Sequence, residues 1–498
     1  MPELSRDMRA SLERLAQEIR VRARQADEEG RLRRLDDLYI RYMVDDFQCT
    51  DKGPVVRGEW TPIVRPDRMP ATPCAEISQA VRASSVYPEV VTQLIEFRGT
   101  PKTGVDKMAA YGDMIEFVNR LISEYTHNPD SNDDLRDKLI GYLLGLEPME
   151  RQEVDLLSGI IVVGRELTVS DGDCRLVLRR VAKEDLEGEF SWSEWISDTL
   201  PPHYYASISG QILPSSILET SQHVSFNTVT IYPWHKAITI LRFLVGTGVI
   251  CLSRRVLDSP MGDNSSNSIG HGMSAYSQGR PARERPVPIR DEDVNKAEQF
   301  WYRAARLLPP SLYRTPLSSD NESPIAIAYG YYDTALVGNA SLHARTAQAV
   351  MGLEALFSQS SLDLSYGLPL RIAGLLRYLN DVVQMKGFSP LAIRETLAAA
   401  YCVRSAYAHG NPPNKPSNRK KIEQMGGLKQ LLHRTLSYLR ASLIVMIAIK
   451  KANDQKSKEE LLNLIDNSLI DEGESQKLQE LLKPALELVS LALWPDVI

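Results

Sequence analysis

A chain of 498 residues is longer than a single hydrophobic core usually extends, so it predicts two or three domains, each able to bury its own core. Hydrophobic residues at 43% and charged residues at 24% exclude the disordered, collagen-like and membrane classes by bulk composition. A formal net charge of -6 excludes a protein that coats nucleic acid through a broad positive surface, so any nucleic-acid site must be local.

The five cysteines (Cys49, Cys74, Cys174, Cys251 and Cys402) lie far apart, with no CxxC pair and no Cys/His spacing that could close a zinc tetrahedron. A reducing cytoplasm is the expected setting. The first residues carry acids and no apolar signal core, no run of 18 apolar residues occurs, and the longest apolar stretch, 439–449, contains Arg440. The expectation is a soluble, cytoplasmic protein with no membrane partner.

In chain order, Leu4, Met8, Leu12, Leu15 and Ile19 recur at helical spacing and predict an amphipathic first helix that packs within the chain. The Arg-rich stretch 20–41 is interleaved with Asp27, Glu28, Glu29, Asp36 and Asp37, as a solvated mixed-charge face would be. Frequent prolines over 54–101 predict irregular structure, followed by helices near 108–122 and 135–146. These residues, 1–149, form a helical and irregular N-terminal region.

Residues 150–257 read as a mixed α/β module. A β-branched run over 159–168, an Asp-Gly turn and a second run over 174–179 predict strand, turn, strand. Further extended segments are expected near 204–212 and 224–231, and a helix near 235–245. The span 258–290, rich in Gly, Ser, Asn, Pro and Arg, holds too little apolar surface to offset the entropy of ordering it, and predicts a flexible linker or long loop. Beyond it the chain reads as helical: 291–308, 325–358, 368–384, 390–409, 428–451 and two shorter helices. The fold class expected is therefore α+β, mainly α, with a C-terminal antiparallel helical bundle over 291–498.

The chemistry-bearing segment closes the helix at 390–409. Arg404-Ser405-Ala406-Tyr407-Ala408-His409 runs into Gly410, which suits a left-handed helix stop, and into Pro412 and Pro413, which forbid continuation. Positions five apart lie about 140° apart around a helix, so Arg404 and His409 do not share a face. A twofold-related second copy can bring both pairs to one cleft, which makes a homodimer the expected working unit. Histidine suits proton transfer near neutral pH, and arginine's planar fork suits a phosphate.

Charge adds a local signal. From Arg404 to Arg434 there are seven basic residues (Arg404, Lys415, Arg419, Lys420, Lys421, Lys429 and Arg434) against one acid, Glu423. Lys415, Arg419, Lys420 and Lys421 are the candidate substrate-binding residues of a phosphate footprint; an ordinary solvated basic loop would carry the same charges. From Glu459 onward nine acids face only Lys477 and Lys483, so this acidic extension could cover the basic segment or form ordinary exposed helices.

Spacing alone carries little weight, but three blocks occur in order: Leu353-Glu354-Ala355-Leu356-Phe357, then Leu370-Arg371-Ile372-Ala373-Gly374-Leu375, then the segment from Tyr401 through Arg404 and His409 to Gly410. Together, over about residues 325–450, they resemble the Apea-like branch of the HEPN family, and 238–246 resembles, more weakly, an element that often precedes such domains. The resemblance implies a dimeric, metal-independent endoribonuclease fold found in bacterial toxins and phage defence. Arg404 and His409 would be its catalytic pair. Many members carry Asn, Asp or His after the arginine; this chain carries Ser405, which can hydrogen-bond but is no strong base. The expected chemistry is transfer of the RNA 2′-hydroxyl onto the adjacent phosphate, with no metal and no cofactor, since no carboxylate or histidine set in the bundle has ligand spacing. ATPase, dehydrogenase, zinc-protease and hydrolase motifs are absent from the sequence.

Other readings use the same residues. A degenerate HEPN dimer could hold RNA or a nucleotide without cutting it, and a toxin could be silenced or activated by a protein partner or by its own N-terminal half. In a purely structural reading, Arg404 pairs with a bundle carboxylate such as Glu354 and His409 caps carbonyls.

Overall fold

The computed structural model describes residues 2–29, 37–50, 53–65, 71–97, 104–127, 133–146, 149–172, 174–182, 189–191, 216–224, 234–259, 262–263, 286–313, 323–338, 340–359, 366–383, 388–410, 416–452 and 457–494. The fold is α+β and mainly α.

The first helix, α1 (Pro2–Glu28), turns Met8, Leu12, Leu15 and Ile19 inward. They pack against α3 (Val86–Phe97) and α4 (Gly104–His127) in a core shared with α2 (Ala71–Arg82) and α5 (Asp134–Leu143). The stripe is thus covered within the chain. In the stretch after it Arg24, Glu28 and Glu29 are exposed, as the mixed-charge pattern predicts, whereas Arg20 reaches Asp133 at 2.9 Å and lies 4.6 Å over the Tyr125 ring.

The irregular structure expected over 54–101 is instead a hairpin end and two helices. Strands β1 (Asp37–Thr50) and β2 (Gly53–Arg65) pair antiparallel with Thr50 opposite Gly53. β2 is the edge of its three-stranded sheet, where Pro54 and Pro62 are tolerated because one row of N–H groups faces away from any partner strand. Pro73 and Pro88 fall in the first turns of α2 and α3, where a missing N–H costs nothing. Prolines there punctuate elements rather than abolish them.

The α/β region contains β3 (Met149–Ser158), β4 (Ile160–Val163), β5 (Leu167–Asp171), β6 (Cys174–Arg180), β7 (Glu189–Ser191) and β8 (Ser216–Val224), followed by α6 (Trp234–Val245), β9 (Ile250–Ser259), β10 (Gly262–Asp263) and β11 (Val287–Arg290). One sheet runs β10-β9-β3-β8-β6-β5, β7 joins β1, and β4 pairs with β11. The predicted hairpin forms, with Asp171 opposite Cys174 and Gly172 at φ 63°. Its first strand is shorter than expected. Gly164, at φ 123°, breaks the run 159–168, and a Cβ there would collide with the Asp291 carboxylate; β4, before that break, pairs parallel with β11 outside the large sheet. The expected strand at 204–212 lies outside the described residues, as does 225–231; Val224 ends β8, which begins earlier than predicted. The expected linker 258–290 is structured at both ends, in β9, β10 and β11, and its residues 264–285 lie outside the described residues.

Ten helices described after β11 make up the C-terminal part. They are α7 (Asp291–Leu307), α8 (Pro324–Val337), α9 (Leu342–Phe357), α10 (Gly367–Leu376), α11 (Asn380–Val383), α12 (Pro390–Ala408), α13 (Pro416–Gln424), α14 (Leu428–Ala452), α15 (Lys458–Asn467) and α16 (Glu472–Leu491). The single helix expected over 325–358 is two. Ser341 caps α9 by accepting from Ala344 N, and buried Arg345 donates to Ala335 O at 2.6 Å and Leu336 O at 3.1 Å, closing the end of α8. α9 and α14 pack on each other and on both α8 and α12.

The division expected between module and bundle is not a division of the core. One continuous core runs from Leu157 to Leu493 and includes both. Its fastening is Arg440 of α14, 2% exposed, which donates to Phe243 O at 2.8 Å, Leu244 O at 2.6 Å and Leu493 O at 2.9 Å, and lies 4.1 Å over the Trp494 ring. The first two carbonyls belong to the last turn of α6, where intrahelical donors run out. Gly246 follows at φ 68°, and a Cβ on it would run into the Arg440 guanidinium. Burial pulls the Arg440 guanidinium down to about 10. By length and composition α14 could cross a bilayer, but 83% of its most apolar window is buried inside the protein.

Candidate functional site

α12 begins where the sequence places it, with Ser389 accepting from Ala392 N and Pro390 in the first position. It ends where Gly410, at φ 64°, takes the left-handed stop and His409 is the C-cap. Val403, Ala400, Ala399 and Leu397 face the core, which fixes the rotation of the last turns.

That rotation sends the motif residues different ways. Arg404, with 24% of its side chain exposed, turns toward α9, where its Nη2 donates to Glu354 Oε2 at 2.9 Å. Its guanidinium carbon lies 5.9 Å from the Tyr401 ring centre, one helical turn back. His409 is exposed beyond the last turn, while its backbone N–H donates to Ser405 O at 3.1 Å. Ser405 is half-buried between them. One chain therefore brings Arg404 to Glu354 but does not bring Arg404 and His409 onto one face, as the five-residue offset requires. Burial pushes the Glu354 carboxyl up, and the Arg404 cation beside it acts in the opposite direction.

The basic segment is a helix, α13, not a loop. Pro416 opens it, and Arg419 and Glu423 pair at 3.0 Å at the four-residue helical spacing. Gly426 and Gly427, at φ 86° and 91°, end the turn that follows. Those signals are present in the sequence, but the short helix carries only Ile422 on its inner face, so no apolar period announces it; Ile422 and the following Met425 pack against the core. Arg419, Lys420 and Lys421 are exposed, as is Lys429 at the start of α14; Lys415 lies outside the described residues.

The acidic extension does not lie on α13. α15 and α16 pack against the rest of the bundle, α16 chiefly on α7, α14 and α15. Asp466 of α15 pairs with Arg371 of α10 at 2.7 Å and Glu487 of α16 with Arg303 of α7, while Glu474 and Glu480 pair within α16 with Lys477 and Lys483.

No protein-family model, no curated protein and no solved structure matches this chain.

Proposed function

We propose that the chain is a metal-independent endoribonuclease that works as a homodimer, with two copies of α12 contributing to one composite site. The observation that carries this reading is the end of α12: an exposed histidine follows an arginine held half-buried in the bundle, and the next helix presents three exposed cations. In this reading one His409 accepts the proton of an RNA 2′-hydroxyl as that oxygen attacks phosphorus. The bond from phosphorus to the 5′-oxygen breaks, and the second His409 protonates the leaving oxygen. Arg404 stabilises the charge that develops on the non-bridging oxygens, and Ser405 offers a hydrogen bond beside it. Arg419, Lys420 and Lys421, together with Lys415, bind phosphates along the strand. Use in anti-phage defence or as a toxin, with a protein partner that silences or triggers it, rests on family resemblance alone.

A second reading draws on the Arg404–Glu354 pair. An arginine already paired with a carboxylate suits a catalytically degenerate HEPN scaffold that dimerises and holds RNA or a nucleotide. Subunit mixing separates the two. Titrating His409→Ala subunits into wild type should lower RNA cleavage beyond simple dilution, because mixed dimers lack one of the two histidines. Loss in strict proportion to wild-type content would argue against the composite site, and binding without any cleavage would favour the scaffold.

A further inference from the structure

Two arginine–carboxylate pairs tie the helices around α12, and they differ in a way that charge alone does not explain. Arg371 meets Asp466 as a fork: Nε donates to Oδ1 at 2.8 Å and to Oδ2 at 3.0 Å, and Nη2 donates to Oδ2 at 2.7 Å. Its Nη1 donates to Phe357 O at 3.1 Å, so each nitrogen has an acceptor. That is how an arginine is used to hold a fold together.

Arg404 and Glu354 meet through one bond, Nη2 to Oε2 at 2.9 Å. Arg404 Nε and Glu354 Oε1 are both buried and have no hydrogen-bond partner among the described residues. A buried donor and a buried acceptor left unmatched are costly, and a bidentate pairing would match both. The carboxylate therefore fixes one corner of the guanidinium without taking up the rest of the fork. Only 13% of the Glu354 side chain is exposed, so it is anchored in α9 and is poorly placed to meet a substrate itself.

Resting on the ribonuclease reading above, we infer that Glu354 is a positioning residue: it orients Arg404 and offsets its charge through a single bond, leaving the part of the guanidinium outside that bond and the buried Nε for an RNA phosphodiester. Glu354 acts through Arg404 and does not touch the reacting atoms. This explains why the carboxylate sits one helix away from the motif, on α9, rather than beside it on α12. It also reconciles the ion pair with catalysis, since a guanidinium held at one corner is preorganised for an incoming phosphate.

The test is a double-mutant cycle read by steady-state and single-turnover cleavage of a labelled RNA oligonucleotide by the full chain. Glu354→Ala should lower kcat by about 10²-fold with KM little changed, the cost of a misplaced catalytic group. Glu354→Gln, whose amide oxygen can still accept the one bond, should stay within about tenfold of wild type. In an Arg404→Ala background, Glu354→Ala should cost almost nothing further, because its effect passes through the missing arginine. That double variant buries no lone charge and so keeps the cycle readable if Glu354→Ala alone folds poorly. Equal losses in both backgrounds, or full activity in Glu354→Ala, would overturn the positioning role while leaving the ribonuclease reading intact. Absence of RNA cleavage by wild type would end the ribonuclease reading and this assignment with it.

Discussion

Buried arginines do two different jobs in this protein, and the difference is set by what they face. Arg440 faces carbonyl oxygens and an aromatic ring, at the end of α6 and beside Trp494. Replacing it with Met would leave the Phe243 and Leu493 carbonyls short of a donor, while Leu244 O keeps its bond from Leu493 N at 2.8 Å, and would remove a desolvated charge. Two unmatched acceptors at about 1–3 kcal/mol each outweigh the relief, so Arg440→Met should lower unfolding free energy by about 2 kcal/mol or more in urea titration. A change under about 0.5 kcal/mol would mean that water or a shifted backbone satisfies those groups. From sequence, Arg440 reads only as an interruption in an apolar run. Its acceptors come from residues 243, 244 and 493, far away in the chain, and no local pattern encodes that meeting. Arg404 is the opposite case: a bundle carboxylate such as Glu354 is the partner that the purely structural reading of the sequence offers it, and the two pair at 2.9 Å.

At the scale of elements, legibility follows the strength of the local period. α6, α12 and α14 are apolar runs whose extents follow from composition and stop signals, and α1 shows a clear inner stripe although it runs on to Glu28, past the last apolar step of the pattern at Ile19. The break between α8 and α9 is hidden because the apolar period runs through Gly338 and Ser341, and only the capping bond of Ser341 and the reach of Arg345 reveal it. Strands β3 and β9 are illegible for another reason: charged residues such as Glu150, Arg151, Arg254 and Arg255 interrupt their alternation, and their ladder forms through pairing at long sequence separation. α13 resembles a loop in sequence because its period is polar. Its exposed cations carry their own prediction. Changing Arg419, Lys420 and Lys421 together to Ser should leave the thermal midpoint within a few degrees, since the three side chains are exposed. RNA binding should weaken, and the dependence of log affinity on log salt should flatten by about 0.7 for each phosphate no longer neutralised. An unchanged salt slope would remove α13 from the interface.

At the scale of the whole molecule, the α/β region and the bundle are parts of one core, with α6 stacked on α8 through Phe243 and Tyr332 and bonded to α14 through Arg440. Composition gives no hint of this, because the Gly- and Ser-rich span that looks like a linker joins elements that pack together regardless. The central claim, that the end of α12 cuts RNA through the nucleic acid's own 2′-hydroxyl, is tested most directly by end-group analysis of cleavage products formed in EDTA. Mass spectrometry should find 2′,3′-cyclic phosphate and 5′-hydroxyl ends from wild type, and no cut product from His409→Ala at an unchanged melting temperature. Products carrying 5′-phosphate and appearing only when Mg²⁺ is supplied, or identical cleavage by His409→Ala, would contradict it.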